Sequence, residues 1–310
     1  MTKAAALLTL ALACPAGAFE LAFPAECRLG ETCYIQQTPD HDPGPGAADF
    51  TCGPLSYDGH DGTDIALPTR AAMAAGVAVL AAAPGVVTGA RDGVADFAPE
   101  TPGKECGNGV VIDHGQGWET QYCHLRQGSL RVTTGDRVET GTPLGQIGQS
   151  GQAAFPHLHL TLRHKGRSLD PFAPGATACG AKGDDLWAEE VPLRPGGLLD
   201  IGIHDGLPDY DSIKTGLPSP DLPMTAPALV VWAYGFGLRA GDTLVLRLNG
   251  PDGPVVSERI EIDRPQALGF RAAGRKGRGG WPVGPYTATA TLIRAGQEID
   301  RQSLSLSILP

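Results

Sequence analysis

The sequence predicts an all-β protein of two compact antiparallel domains, on three observations. Glycine (43) and proline (27) are abundant, well above their usual shares of about 7% and about 5%, yet they are spread between apolar runs rather than massed in a tract. Two strand-like runs, Asn108–His114 and Thr120–Leu125, fold about Gly115-Gln116-Gly117 as a hairpin. Farther on, Ala228–Tyr234, Asp242–Leu248, Val255–Ile262, Tyr286–Ile293 and Ser303–Leu309 alternate apolar and polar residues between Gly/Pro/Asp turns. That spacing suggests an immunoglobulin-like β-sandwich over residues 223–310. A chain of 310 residues has room for two such cores.

The N-terminus reads as a secretory signal over residues 1–18. Met1-Thr2-Lys3 is followed by an apolar run from Ala4 to Ala13, then Pro15-Ala16-Gly17-Ala18, with cleavage expected after Ala18. Cys14 raises a lipid anchor as an alternative, although Ala11 stands where a lipoprotein signal usually has leucine. No later run reaches the roughly 18–20 apolar residues of a spanning helix, so no stable membrane span is expected. Six cysteines remain: Cys27, Cys33, Cys52, Cys106, Cys123 and Cys179. An even set in an exported chain suggests disulfides and an oxidising compartment such as the periplasm. No two are spaced Cys-x-x-Cys, which disfavours a Cys-rich zinc site. The hairpin brings Cys106 close to Cys123, and the sequence leaves the other four unassigned. Removing residues 1–18, with their single charged Lys3, takes the formal net charge from −10 to −11. Such acidity argues against nucleic acid as a partner and against broad adhesion to an anionic surface.

Residues 19–54 form a loop-rich extension, in which His41, between Asp40 and Asp42, reads as part of a loop packed over the domain rather than as a metal ligand. Next, His60 and Asp64 stand four apart. Gly59 and Gly62 disfavour a helix, so a tight turn entering a strand at Thr63–Leu67 is expected to converge the two side chains, on a metal or simply on each other. From Val77 to Val87 the residues are small and apolar about a Pro84-Gly85 turn. The run Ala81–Val87 is faintly echoed by Gly135–Gly145, an internal duplication. Residues 91–107 read as a loop. In the hairpin, strand alternation places Thr120, Tyr122 and His124 on one face and Gln121 and Cys123 on the other, so that His124 looks into a site while Cys123 ties the back. His114, at the turn, and Tyr122 read as structural. In Phe155–Leu162 alternation puts His157 and His159 on one face, two imidazoles that can bind metal or move protons. Residues 176–222 read as a linker tied back by Cys179, and His204 lies in a loop without a role.

In this order the segments make the chain resemble the lysostaphin-type (LytM-type) zinc metallopeptidases, over roughly residues 55–172 of a domain spanning 55–175. The family signature, His-x-x-x-Asp early and His-x-His late, matches His60–Asp64 and His157-Leu158-His159. Gly107–Gly115, Tyr122–Leu125 and Gly135–Val138 also match family segments in order. The resemblance implies a barrel-sandwich-hybrid-like antiparallel domain with a duplicated hybrid motif, to which the faint duplication conforms. It implies zinc (Zn2+) on His60, Asp64 and His159, with His124 and His157 as the catalytic pair. Two imidazoles and one carboxylate leave a fourth tetrahedral position open for water. The expected substrate is the peptide cross-links of bacterial peptidoglycan, with a D,D-endopeptidase preferred over a glycyl-glycine peptidase on compartment grounds. The chain departs from the family after His159, where Leu160-Thr161 replaces an aromatic and an acidic residue and leaves the outer contacts of His159 open. A non-enzymatic activator of cell-wall amidases is the alternative, although such members usually lack zinc ligands. A biotinyl or lipoyl carrier fails, since no lysine occupies a hairpin tip in the matching half. The C-terminal domain is expected to meet the wall, the substrate or a protein partner.

Overall fold

The computed structural model describes residues 18–181 and 183–310. The leader, with Cys14, lies outside these residues except for Ala18. In the first half, the strands are β1 (Tyr34–Gln37), β2 (Thr63–Ala66), β3 (Ala78–Leu80), β4 (Gly85–Arg91), β5 (Asn108–Gly115), β6 (Trp118–Leu125), β7 (Arg137–Val138), β8 (Pro143–Gln146), β9 (His157–His164) and β10 (Arg167–Leu169), with one short helix, α1 (Arg70–Ala75). A single antiparallel sheet runs β1-β2-β9-β6-β5-β4-β7, and β10 pairs with β9. Strand β9 takes a central place because its alternate residues Leu158, Leu160 and Leu162 are fully buried against Ile65, Ile112 and Tyr122. Burying each such leucine is worth about 1.5–3 kcal/mol. The echoing stretches interlock, since β3 pairs with β8 and β4 pairs with β7.

Two segments read as loop or linker carry regular structure, and α1 and a strand at Gln266–Lys276 have no counterpart in the sequence reading. The loop-rich extension contributes β1, whose Tyr34, Ile35 and Gln36 are buried. Its four residues mix polar and apolar on both faces because one face meets the sheet core and the other meets the second half. The ring centroids of Tyr34 and Phe236 stand 4.5 Å apart, and Gln36 donates its side-chain amide to the Ala267 carbonyl at 3.0 Å. Within the stretch read as a linker lie β11 (Gly197–His204) and α2 (Tyr210–Thr215). The register of β11 slips between Leu198 and Asp200, which breaks the alternation by which a strand is read.

The second half continues with β12 (Ala228–Leu238), β13 (Thr243–Gly250), β14 (Gly253–Glu261), β15 (Gln266–Lys276), β16 (Gly284–Arg294) and β17 (Gln297–Ile308). The sheet β11-β12-β15 faces the sheet β14-β13-β16-β17. Their inner residues, among them Ile203, Leu229 and Val231 against Leu246, Leu248 and Leu292, share one core. A smaller cluster joins the two halves, where Tyr34, Ala66 and Phe236 are buried and Phe155, Leu199 and Leu268 pack against them. The disulfide Cys106–Cys123 closes as the hairpin predicts, and Cys27–Cys33 and Cys52–Cys179 complete the set. The last of these ties the segment after the first half back to the extension.

Tyr122 is fully buried, and its hydroxyl accepts the Ala82 N–H at 2.8 Å beside the Thr120 hydroxyl at 3.0 Å. Replacing Tyr122 with phenylalanine strands that amide in the core, and a loss of about 1–3 kcal/mol in denaturant unfolding is expected. An unchanged unfolding midpoint would show that the bond contributes nothing to stability.

Candidate metal centre

Three neighbouring strands build the site. In the β2–β9 register Asp64 lies directly opposite His159 and Ala66 opposite His157. In the β6–β9 register Cys123 lies opposite His159 and Gln121 opposite Thr161. The outward residues of β9, namely His157, His159, Thr161 and Arg163, therefore line one groove with Gln121 and Cys123. The groove has a volume of about 830 Å³, and Tyr57, Glu100, Glu105 and Phe155 contribute to its walls. His60 enters from the turn before β2.

Three donor atoms converge at its floor. His60 Nε2 stands 3.2 Å from Asp64 Oδ1 and 3.2 Å from His159 Nδ1, and His159 Nδ1 stands 2.8 Å from Asp64 Oδ1. Ligands about 2.0–2.1 Å from a tetrahedral ion stand about 3.4 Å from one another, so this triangle can close on a metal after a small expansion. Two imidazoles and one carboxylate also suit zinc chemically. His157 Nε2 lies 3.6 Å from Asp64 Oδ1, and the His124 and His157 rings are 4.6 Å apart. A second set, His124, His157 and His159, also gathers within 4.8 Å but lacks a carboxylate and shares His159.

Backbone carbonyls decide which nitrogen faces the centre. His60 Nδ1 donates to Thr38 O at 2.9 Å, His124 Nδ1 to Ser150 O at 2.8 Å and His157 Nδ1 to Phe155 O at 2.8 Å. A carbonyl can only accept, so each of these rings turns Nε2 toward the groove. His159 is reversed. Its Nδ1 faces the triangle, and its Nε2 meets Thr161 Oγ1 at 3.1 Å and Asp61 Oδ1 at 3.3 Å. Gly62 makes this possible, because a Cβ there would stand 2.5 Å from His159 Nε2.

Charge is divided sharply across the site. Burial works against the Asp64 carboxylate, but His157, His60 and His159 hold it well below the usual carboxylate range. Burial likewise opposes a charged His159, yet its hydrogen bonds to Asp61 and Asp64 prevail and push its pKa up to about 9. Burial, with His157 and His159 nearby, lowers His124 to about 3, and burial lowers His157 despite the pull of Asp64. At neutral pH His159 is thus an imidazolium, whereas His124 and His157 are neutral imidazoles.

Of the five residues singled out in the sequence, Asp64, His124, His157 and His159 line this groove and the buried His60 meets Asp64 and His159 behind its wall, but His124 arrives by a different route from the one alternation predicts. Thr120 and Tyr122 face the core, while Gln121 and Cys123 face the groove. Between the pairs Asn108↔Leu125 and Val110↔Tyr122, strand β6 carries two residues, Cys123 and His124, against Gly109 alone on β5. This bulge, with His124 at φ 63°, swings His124 round to join Cys123. A Cβ on Gly109 would stand 2.5 Å from the Tyr122 carbonyl oxygen, so the bulge requires glycine there. His114 is structural, bonded to Pro84 O and Thr120 Oγ1, and His41 is buried against Asp170 at 2.9 Å. Thr38, Ser150 and Asp61 escaped the sequence reading. The first two act through their backbones and leave no mark of residue type, whereas Asp61 was visible as the residue after His60.

The family model described as "Peptidase family M23" matches residues 58–171. The "Peptidoglycan DD-endopeptidase ShyA" of Vibrio cholerae is 33% identical over 111 residues, covering 36% of this chain and 22% of that protein. The "DD-carboxypeptidase/endopeptidase Mpg" of Neisseria meningitidis is 33% identical over 116 residues, covering 37% and 22%. The chain thus spans about a fifth of the length of these curated relatives. Among solved structures, a mutant catalytic domain of the prophage-encoded M23 protein EnpA from Enterococcus faecalis aligns with a TM-score of 0.35 at 25% identity, covering 51% of this chain and 99% of that one.

A metal ion needs His159 Nδ1 bare, whereas below about pH 9 that ring is protonated in the metal-free site. Metal uptake at neutral pH should therefore release about one proton, and apparent affinity should rise about tenfold per pH unit until about pH 9. Calorimetric titration with zinc in buffers of different ionisation enthalpy reads the proton count. A count near zero at pH 7 would mean that His159 is neutral before metal arrives.

Proposed function

We propose that this chain, whose residues 58–171 are a domain of peptidase family M23, is an exported zinc metalloendopeptidase that hydrolyses the peptide cross-links of bacterial peptidoglycan. The observation that carries the reading is the convergence of His60 Nε2, Asp64 Oδ1 and His159 Nδ1 within 3.2 Å of one another beside two neutral imidazoles. Relatives named as peptidoglycan endopeptidases support the substrate class. Three disulfides support an oxidising compartment, in line with a periplasmic location. Among the described residues no helix is long and apolar enough to cross a membrane.

In this reading His60, Asp64 and His159 hold the zinc. Bound there, zinc supplies a Lewis acid for the scissile carbonyl and lowers the pKa of a water to about 7. The chain's own contribution is the proton traffic. His124 and His157 each present an Nε2 lone pair, because their Nδ1 protons are committed to backbone carbonyls. Either ring can accept a proton from the attacking water, and the imidazolium so formed can donate to the oxyanion or the leaving amine. Tyr57, whose hydroxyl is held up at about 12 by burial and by Asp64 and Asp61, stays protonated and can donate a hydrogen bond to a peptide in the groove. The alternative of a non-enzymatic amidase activator is less well supported, since the five chemical side chains are all present and aligned. We assign residues 55–175 to the peptidase domain and the C-terminal sandwich to an accessory role toward wall, substrate or partner.

Digestion of purified peptidoglycan, followed by mass analysis of the fragments, tests the reading. New free amines at the cross-links are expected from the enzyme, whereas fragments that appear only when an amidase is added would favour the activator. Asp64→Ala and His159→Ala should lose zinc. His124→Ala should keep zinc and lose activity by about 10²–10⁴-fold, and equal zinc loss in all three would overturn the division between ligands and proton carriers.

A further inference from the structure

His60, His124 and His157 each have their outer nitrogen locked by a backbone carbonyl, which a side-chain substitution does not remove. His159 has no such lock, and its outer nitrogen is met by side chains alone. Strand alternation places Thr161 beside it on the groove face of β9, and the Thr161 hydroxyl stands 3.1 Å from Nε2. A hydroxyl is a weaker anchor than a carboxylate for an imidazole that must present its other nitrogen as a ligand. A carboxylate is supplied instead from across the groove, where Asp61 Oδ1 lies 3.3 Å from the same Nε2. Asp61 is itself oriented, because its Oδ2 accepts the Ser168 hydroxyl at 3.3 Å from β10.

Resting on the metal-site reading, we propose that Asp61 is a positioning residue that fixes His159 with Nδ1 inward, completing from the turn before β2 the anchor that Thr161 provides only in part. The arrangement forms a tier, Ser168 to Asp61 to His159, running from the exposed surface of β10 to the floor of the groove. Among the described residues the polar partners of the Asp61 carboxylate are His159 Nε2 and the Ser168 hydroxyl, so it acts on the triangle through His159. Being half-exposed, it can be changed without opening the core.

The test is a zinc titration of the full chain against a chromophoric chelator, at a pH above the His159 transition so that proton competition does not mask the contact. Asp61→Ala should weaken zinc binding by about 10–100-fold and perturb the visible spectrum of the cobalt-substituted protein. Asp61→Asn keeps an oxygen that can accept from Nε2–H and should recover part of the loss. Asp58→Ala removes the same charge from the same turn without touching His159 and should leave binding unchanged. Should Asp61→Ala fail to fold, Ser168→Ala tests the tier from its outer end, with a few-fold loss expected. The proposal is overturned if Asp61→Ala binds zinc as tightly as the parent chain, or if Asp58→Ala weakens binding as much. Failure of the parent chain to bind zinc at all is a different result, which would overturn the metal-site reading itself.

Discussion

A buried imidazole has two nitrogens and can offer only one to a ligand, and the site depends on how that choice is made. Three carbonyls from three separate segments make it for His60, His124 and His157. Thr38 follows β1, so the pairing of β1 with β2 is what brings its carbonyl to His60. Ser150 is held by its own hydroxyl, which accepts the Asn108 N–H and bonds the Leu125 carbonyl across the hairpin. The carbonyl for His157 belongs to Phe155, whose ring packs in the cluster between the two halves. Each ring is thus aimed by a piece of scaffold whose placement is decided elsewhere in the fold.

The same logic gives the second half a mechanical part in the groove. Phe236 and Leu268 pack in the cluster that receives Phe155, and the Phe155 ring lies 4.5 Å from that of His157. A sandwich with none of the site's chemical side chains therefore helps fix one of its walls. The extension does the same from the other side, with Tyr34 against Phe236 and Thr38 against His60.

What the sequence shows of this is uneven, for physical reasons. The alternation of β9 was legible because one face is wholly apolar, and the β2–β9 pairing then sets Asp64 opposite His159. The hairpin and Cys106–Cys123 were legible because two alternating strands flank a Gly-rich turn, whereas Cys27–Cys33, only 6 residues apart, lies in an extension with no such pattern. The aim of His124 was not, since a bulge reverses the face of a residue without any change in residue type beyond Gly109. β11 was hidden by its own register slip, and Cys52–Cys179 joins positions 127 residues apart, which no local pattern reports. Backbone partners such as Thr38 and Ser150 leave no residue-type signal at all.

The raised pKa of His159 bears on how the buried Asp64 carboxylate is carried through folding. Metal sites whose ligands repel one another or stand unpaired when empty tend to couple folding to metal capture. Here a proton held on His159, between Asp61 and Asp64, sets a positive charge beside the buried Asp64 carboxylate. The buried Asp64 carboxylate is therefore never an isolated charge as the chain folds, and its burial costs less than that of an unpaired ion.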